Sequence, residues 1–432
     1  HLYLLTSMWL VQVSSHQLWK DSIGASSSGS CWYSIPTKRK VVMVKIAATI
    51  SSNCKALFIT LILPPISSLK YYGIIQQNVE KVNSPFQCKE CIVYLYCYNT
   101  HMKILGIETS CDETAASVVE NGTKELAYVV ASSREFHEKT GGVVPEVAAR
   151  KQVEFMIPVL DQVFSEVSKD EIDAVAVTQG PGLIGSLIVG IEAAKALSLA
   201  LDKPLVPVNH LVAHFYANFI SHSPDEIKFP ALVLVVSGGH TDLILMKDHG
   251  DLEYLGGTLD DAAGEAFDKT ARILGIAEYL GGAKLSKVAA SCEKNIISGA
   301  LPRPLLDRAN YDFSFSGLKT AVKRFWENND YPVDVVACEF ENAVVDVLTA
   351  KTIRAAKDFE VASILLGGGV SANKPLRARL KKETAELGVP VFLPDLRLCA
   401  DNASTVASAA FYNFEPADFD VISPNPSLSI TE

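Results

Sequence analysis

The sequence predicts an α/β protein whose main part consists of two similar lobes. Two hairpins of apolar strands, KILGIETSCDETAASVV and PALVLVVSGGHTDLILMKD, each close on a polar turn. Segments with helical and strand periodicity alternate after each hairpin. Late in the chain, LLGGGVSAN places a glycine loop between a buried strand and a helix. Two such lobes facing each other would bring both polar turns to one cleft.

Length and composition limit the fold and the class of protein. A chain of 432 residues is long for one compact domain, so two or three domains are expected. Apolar residues make up 48% of the chain and charged residues 20%, as in soluble globular proteins. No unbroken apolar run is long enough to cross a bilayer, so we predict no spanning helix and no membrane partner. The few scattered cysteines after residue 101 predict reduced thiols and a cytoplasmic location.

Residues 1–101 differ in composition from the rest of the chain. They hold nine basic and three acidic residues, whereas the remainder holds 30 and 46, a formal net charge of −16. They are rich in serine and show no sustained helical or strand periodicity. We interpret them as an atypical N-terminal extension, non-native or disordered, and residues 102–432 as the functional unit. A transit peptide or a small metal module around CKEC are the alternatives, weakened by the single arginine and the lone cysteine pair.

The first lobe is predicted over residues 102–229, with residues 400–432 returning to it. Its hairpin turn carries Glu108 and Asp112. A helix over PEVAARKQVEFMIPVLDQVFSEV, a buried strand DAVAVT and a helix LIVGIEAAKALSLAL follow. The strand PLVPV then leads into a helix that contains two histidines.

The second lobe is predicted over residues 230–399 and begins with the second hairpin. Helices are expected over DDAAGEAFDKTARILGI, GGAKLSKVAA, FSFSGLKTAVKRFWEN, CEFENAVVDVLTAKTIRAAKDF and ANKPLRARLKKETAEL, and strands over ASILLGGGV and PVFLP. Backbone N–H groups in the polar turns can hold phosphate oxygens, and the late glycine loop lets the backbone approach a base or ribose. This layout is that of the actin-like, Hsp70-like and sugar-kinase ATPase fold, an analogy at the level of fold alone.

His210 and His214 form an H-x-x-x-H pair in PVNHLVAHFYANF. Residues i and i+4 share one face of a helix, which suits two imidazoles binding one cation. Two histidines satisfied by local hydrogen bonds are the alternative, which the bare motif favours. A metalloprotease of the H-E-x-x-H type would carry Glu where Leu211 stands. A firm metal site needs a third ligand, and Asp401 in LCADNAS is a candidate, since it begins a helix after a strand that could return to the cleft.

The stretch GPGLIG matches G-x-G-x-x-G between a strand and a helix, so a dinucleotide-binding enzyme is an alternative. That fingerprint belongs in the first β–α turn, with an acid ending the next strand, whereas here the next strand ends at Asn209. We therefore predict that this loop packs closely or lines the cleft.

An acidic cluster lies in LDDAAGEAFDKTA, and Asp268 is its member expected to face inward, because apolar residues bracket it. Its carboxylate could hold ribose hydroxyls or an ammonium group. A solvated helix start is the alternative, since acids favour the first turn of a helix.

In chain order, the motifs are ILGIETSCDETA, GGVVPEVAAR, GPGLIGSLIVG, NHLVAH, LVVSGGHT, DDAAGEAFDK, DFSFSGLKTAV, FENAVVDVL, LGGGVSAN and CADNAS. Together they resemble the bacterial and organellar branch of the tRNA N6-adenosine threonylcarbamoyltransferase family, TsaD, formerly described as glycoproteases. The resemblance covers essentially all of residues 102–432. It implies the two-lobed actin-like (ASKHA) ATPase fold with duplicated RNase H-like lobes.

The resemblance implies an acyltransferase. The L-threonylcarbamoyl group would move from threonylcarbamoyl-AMP to N6 of the adenosine 3′ of the anticodon (position 37) in tRNAs reading ANN codons. The mixed anhydride is already activated, so orientation and charge stabilisation suffice without a covalent nucleophile. A metalloprotease and a non-catalytic ATPase-fold partner subunit are the alternative functions. The missing Glu after His210 disfavours the first, and the complete ligand set disfavours the second.

The resemblance also implies the residues of the site. One divalent metal ion per subunit would be held by His210, His214 and Asp401, with Fe2+ the first choice and Zn2+ the second. Glu108 and Asp112 would order the cleft and are assigned to catalysis. The substrate would contact Val235, Val236, Ser237, Gly238, Gly239, Asp268, Gly282 and Asn373.

The implied partners are tRNA and two protein subunits. The bacterial family works as a heterodimer with a catalytically inactive paralogue (TsaB-like) and with a small ATPase subunit (TsaE-like), so the complex is expected to use ATP and Mg2+. The formal net charge of −10 suits tRNA poorly, because phosphate neutralisation drives binding to nucleic acids. We therefore predict that the partners supply part of the basic surface.

Overall fold

A computed structural model describes residues 101–431 and seven strands of the preceding segment. The chain divides into two compact units, His1–Met102 and Lys103–Glu432. The strands of the first unit are β1 (Leu2–Thr6), β2 (Trp9–Val13), β3 (Ser28–Pro36), β4 (Val41–Ile50), β5 (Leu57–Ile62), β6 (Ile75–Gln77) and β7 (Cys91–Val93). They pair as antiparallel β1–β2, β3–β4–β5 and β6–β7. The periodicity of this segment did not predict them, and the origin of residues 1–101, many of which lie outside the described residues, stays a prediction.

A five-stranded sheet organises the first lobe, in the order β10–β9–β8–β11–β12. Its strands are β8 (Lys103–Glu108), β9 (Glu113–Glu120), β10 (Lys124–Ser132), β11 (Ala174–Gly180) and β12 (Leu205–Asn209). The predicted hairpin is thus extended by β10 into an antiparallel meander, and β11 lies parallel to both β8 and β12. The helices of this part are α1 (Arg134–Glu138), α2 (Pro145–Glu166), α3 (Ile184–Leu201) and α4 (His210–Ser221).

The second sheet repeats this topology in the order β15–β14–β13–β16–β17. Its strands are β13 (Ala231–Val236), β14 (Thr241–Asp248), β15 (Asp251–Gly257), β16 (Ser363–Gly367) and β17 (Val391–Phe392). The remaining helices are α5 (Ala263–Ile273), α6 (Gly282–Ala289), α7 (Ser316–Asn328), α8 (Val333–Asp358), α9 (Lys374–Leu387) and α10 (Ala403–Tyr412). Two sheets with the same mixed strand order confirm the predicted ASKHA fold with duplicated RNase H-like lobes.

Alternation along β8 places helices on both faces of the first sheet. Leu105 and Ile107 point into the core formed with α2 and α3. Gly106 points to the other face, where an added Cβ would lie 2.9 Å from the backbone nitrogen of Ala407 in α10. Because Gly106 has no side chain, the start of α10 can lie against the sheet, and this brings Asp401 to the end of β8.

Helix α4 connects the two sheets. Its N-terminus follows β12 directly and is capped by Asn209, whose Oδ1 accepts a hydrogen bond from the backbone of Leu211 at 2.9 Å. Near its other end, Asn218 Nδ2 donates to the carbonyl of Leu366 in β16 at 2.9 Å. The helix that carries the histidine pair is therefore fixed to both lobes.

Helix α3 is long and apolar enough to cross a membrane by length and composition, the one such helix in the described residues. It packs through Leu187 and Ile191 into the core below the first sheet. Glu192 and Lys195 form an ion pair within it at 3.1 Å. Only 33% of the segment Ile184–Leu201 is buried, so much of the surface of this helix faces outward.

Candidate active site

Three side chains predicted as metal ligands converge at the end of the first sheet. Nε2 of His210 lies 3.7 Å and Nε2 of His214 lies 3.6 Å from Oδ1 of Asp401. The potential ligand atoms of the three residues all lie within 4.8 Å of one another. Two imidazoles and one carboxylate at this spacing fit a divalent cation with an open coordination position.

Glu108 orients the first of these histidines. Its Oε2 lies 3.2 Å from Nδ1 of His210, which leaves Nε2 to face Asp401. The carboxylate also accepts hydrogen bonds from the backbone of Ser110 at 2.6 Å and from the hydroxyl of Thr178. A carboxylate behind a ligating imidazole fixes its tautomer and ring orientation. Glu108 therefore contacts a predicted ligand rather than the open cleft.

Burial and neighbouring charges together shift the pKa values of Glu108, His210 and His214. Burial alone would raise the pKa of Glu108, but the charge of His210 and the hydrogen bonds from Ser110 and Thr178 lower it to about 2. Burial would lower the pKa of His210, but Glu108 and Asp401 outweigh it and raise the pKa to about 9. Burial and the neighbouring His210 hold the pKa of His214 well below its ordinary value. One imidazolium thus balances the carboxylates, in the position where a cation would do so.

Asp112 is committed to an ion pair. Its Oδ2 accepts from Arg134 Nε at 3.1 Å, and Arg134 Nη2 contacts Glu113 Oε1 at 2.5 Å. Burial, the hydrogen bond with Asp112 and the charges of Asp401 and Asp112 raise the pKa of Glu113, against the opposing charge of Arg134. Burial opposes ionisation of Asp112, yet the hydrogen bond with Glu113 and the charge of Arg134 lower its pKa. This geometry suits a structural part for Asp112, and its catalytic assignment stays a prediction.

The predicted substrate turn of the second hairpin, residues 237–239, is called the glycine turn below. The Ser237 backbone donates to the His240 carbonyl at 2.8 Å, and Ser237 Oγ accepts from the His240 backbone at 3.1 Å, which closes the turn. Gly238 and Gly239 are exposed, and a Cβ on either would meet no atom within 4 Å. Their backbone N–H groups therefore border open space in which an anion could bind.

Val235 and Val236 end β13, and their side chains are fully buried. Only their backbone atoms can reach a ligand. Gly368 has a φ of +87°, and a Cβ there would lie 2.5 Å from the Val236 carbonyl oxygen. Glycine is required at this position both by the left-handed backbone and by the close approach.

The metal-ligand cluster and the glycine turn are contiguous. A Cβ on Gly367 would lie 3.1 Å from the carbonyl oxygen of His214, and one on Gly368 would lie 3.2 Å from Cβ of Ser237. The LLGGGVSAN loop therefore lies against both the helix that carries the histidine pair and the glycine turn.

The other predicted substrate residues lie on α5, α6 and α9. The Gly282 backbone donates to Oδ1 of Asp268 at 2.8 Å, so the structure brings these two together. Asn373 caps α9 by accepting from the Leu376 backbone at 2.9 Å. Its Nδ2 donates to Oε1 of Glu341 at 2.7 Å. Sequence patterns missed Glu341, because a carboxylate in a mostly buried helix has no local signature.

The GPGLIG loop is filled by protein. The Asn425 backbone occupies the space beside Gly180, and a Cβ on Gly182 would lie 2.5 Å from the Ser110 carbonyl oxygen. The Asn425 backbone also donates to the Gln179 carbonyl at 2.9 Å. Close packing, one of the two outcomes we predicted, explains Gly180 and Gly182 and leaves no cradle for a dinucleotide there.

Comparisons with known proteins agree with the resemblance seen in the sequence. The family model described as TsaD, tRNA N6-adenosine threonylcarbamoyltransferase, matches residues 124–408. A protein of that name from Syntrophomonas wolfei is 49% identical over 333 residues, which cover 75% of this chain and 97% of the relative. A protein of the same name from Bacillus subtilis is 50% identical over 322 residues, covering 73% and 91%. Among solved structures, HypF from T. kodakarensis aligns with a TM-score of 0.50 at 14% identity over 73% of this chain and 47% of that one, a likeness of fold alone.

Proposed function

The chain belongs to the TsaD family of tRNA N6-adenosine threonylcarbamoyltransferases, and from that membership we propose its reaction in detail. It transfers an L-threonylcarbamoyl group from threonylcarbamoyl-AMP to N6 of adenosine 37, 3′ of the anticodon, in tRNAs reading ANN codons. The observation that carries this proposal is the contiguity of the His210–His214–Asp401 cluster with the open glycine turn.

The three-residue cluster is proposed to hold one divalent cation, Fe2+ in the first place and Zn2+ in the second. The donor set supports this, since imidazole nitrogen and carboxylate oxygen suit both metals. A bound cation would polarise a substrate oxygen and fix its pose. Glu108, 3.2 Å from Nδ1 of His210, would fix the ring so that Nε2 faces the cation.

The remaining residues orient the substrates and stabilise charge. N6 of the adenosine attacks the carbamoyl carbon and loses a proton, and the bond from that carbon to the phosphate oxygen breaks to release AMP. The open space beside the glycine turn would receive the departing phosphate, where backbone N–H groups would stabilise its charge. Asp268, Gly282 and Asn373 hold the nucleotide. No covalent nucleophile is needed, and burial raises the pKa of the nearby Cys111 thiol, which keeps it unreactive.

The metalloprotease alternative lacks a positioned base. Glu108 is bonded to His210 Nδ1, and Asp112 is paired with Arg134. Neither carboxylate is free to activate a water on a metal held by the histidine pair. The geometry therefore favours the transferase.

An outward apolar surface supports the proposed heterodimer with a catalytically inactive, TsaB-like paralogue. We call this surface the α2–α3 face. The side chains that form it are 45–73% exposed and belong to Val153, Ile157, Ile184, Ile188 and Leu199. Spacings of four and eleven residues align them along two packed helices. An apolar patch of this kind marks a protein contact. A small TsaE-like ATPase that uses ATP and Mg2+ completes the proposed assembly.

Replacing Ile157 and Ile188 together with glutamate is expected to weaken binding of the paralogue at least tenfold, because two charges would be buried in an apolar contact. Affinity would be measured by calorimetry with the purified paralogue. The control is Ile296→Glu, a similarly exposed isoleucine outside this face. Unchanged affinity of the double variant would exclude the α2–α3 face.

We also place the protein in the cytoplasm. The four cysteines of residues 103–431 are free thiols, as in a reducing compartment.

The reaction is tested with the full chain, its partners, an unmodified tRNA that reads an ANN codon and threonylcarbamoyl-AMP. We expect one threonylcarbamoyladenosine and one AMP per turnover, measured by nucleoside mass spectrometry and chromatography. Release of AMP without the modified nucleoside would show hydrolysis and contradict the transfer.

A further inference from the structure

Glu341 is a buried carboxylate beside the predicted nucleotide contacts, and neither the metal cluster nor the glycine turn uses it. It lies on α8 with 4% of its surface exposed. Asn373 Nδ2 donates to its Oε1 at 2.7 Å, and the side chain of Ser286 on α6, which lies 3.2 Å from Asn373 Nδ2, also hydrogen-bonds to Glu341. An ionised carboxylate can accept about four hydrogen bonds. Glu341 therefore keeps acceptor capacity beyond its protein partners.

A second carboxylate, that of Asp268, lies on the neighbouring helix α5. The rings of Phe267 and Phe340 meet edge to face with centroids 5.1 Å apart. Each phenylalanine directly precedes one of the two carboxylates, so core packing fixes α5 and α8 against each other beside both positions. The pair is held by core packing rather than by mobile loops.

Helix α6 links the two carboxylates. The backbone of Gly282, at its start, donates to Asp268, and Ser286 lies next to the Asn373–Glu341 contact. Gly282 and Ser286 are four residues apart and share one face of α6, with about 6 Å between such positions. Two acceptors thus flank a single helical turn.

We propose that Glu341 is a specificity-determining residue of the nucleotide subsite, where it and Asp268 accept hydrogen bonds from the ribose hydroxyls of the AMP half of the co-substrate. This inference rests on the proposed function. A vicinal diol offers two donors, one for each of the two carboxylates. Hydrogen bonds to charged acceptors are stronger than neutral ones. The same charges repel phosphate, so they direct the phosphate toward the glycine turn.

The test measures nucleotide binding without the transfer step. The full chain, loaded with Fe2+, is titrated with AMP, 2′-deoxy-AMP, 3′-deoxy-AMP and IMP. The wild type is expected to bind AMP about tenfold or more tightly than at least one deoxy analogue. Glu341→Gln should bring the ratio for one deoxy analogue close to one, because its amide oxygen stays paired with Asn373 and its amide nitrogen cannot accept a hydrogen bond. Asp268 should preserve the ratio for the other analogue. The matched control, Glu386→Gln on exposed α9, should keep the wild-type ratio.

A purely structural part for Glu341, such as holding Asn373, would weaken AMP and the deoxy analogues equally and leave the ratio unchanged. That result would overturn the proposal. Equal binding of AMP and both deoxy analogues by the wild type would overturn it without any variant. If Glu341→Gln instead abolished the preference for AMP over IMP and kept the preference for AMP over the deoxy analogues, Glu341 would contact the adenine amine. That result would also contradict the proposal. If the protein discriminated between AMP and the deoxy analogues as expected but did not transfer the threonylcarbamoyl group, the proposed reaction would be wrong and the assignment of Glu341 would not.

Discussion

Replacing Asp401 with alanine is expected to remove the bound metal and to lower threonylcarbamoyladenosine formation by at least about 100-fold. The carboxylate is the one ligand that α4 does not supply, and its Oδ1 lies within 3.7 Å of both imidazoles. Without it, two histidines remain, which is too few for a firm site. Metal content would be measured by mass spectrometry of the purified protein, and activity by the transfer assay.

The control for this change is Asp395→Ala, an exposed aspartate shortly before Asp401. It should retain both metal and activity. Stoichiometric metal together with full activity in the Asp401 variant would exclude this residue as a ligand. Loss of metal with full activity would exclude a part for the metal in the reaction.

Replacing Glu108 with alanine is expected to lower metal affinity 10- to 100-fold without removing a ligand. The buried carboxylate holds Nδ1 of His210 at 3.2 Å, and its loss frees the ring to rotate. Affinity for Zn2+ would be measured against a competing chelator at alkaline pH, where His210 is neutral. Glu135→Ala, in the exposed first turn of α1, is the control. Wild-type affinity in the Glu108 variant would contradict the positioning role.

The same residue controls the pH dependence of metal binding. Against its burial, Glu108 and Asp401 raise the pKa of His210 to about 9, so the metal-free protein keeps a proton there at neutral pH. A cation needs the neutral imidazole, so binding releases this proton, and affinity rises with pH until about 9. Removing Glu108 takes away one of the charges that raise this pKa, and the rise should then occur at lower pH.

The fold could be predicted largely because its signals are local. Both hairpins combine apolar strand segments with polar turns, and helix α2 carries apolar residues at three- and four-residue steps. The third strands of the two sheets, β10 and β15, were missed, and both lie at sheet edges. Their burial patterns are irregular, since an edge strand packs less of its surface against the core.

In the candidate site, too, local sequence signals could be interpreted and long-range contacts could not. The pairing of His210 and His214 follows from helical spacing, and Asp401 could be inferred from the strand and helix around it. The contact between Glu108 and His210 spans 102 residues and has no counterpart in local sequence. The sequence left open whether the GPGLIG loop packs closely or lines the cleft, because Asn425, which fills that space, lies far along the chain. Long-range partners decide whether a motif meets protein or ligand.

The most direct test of the account is the amount of threonylcarbamoyladenosine in total tRNA from a host depleted of its own enzyme and supplied with this chain. We expect the nucleoside to return with the wild-type chain. It should stay absent with His210→Ala at equal protein level, because the proposed transfer requires the metal that His210 helps to hold. Continued absence with the folded wild-type chain and its native partners present would contradict the transferase. Full recovery with the His210 variant would contradict the metal site at its centre.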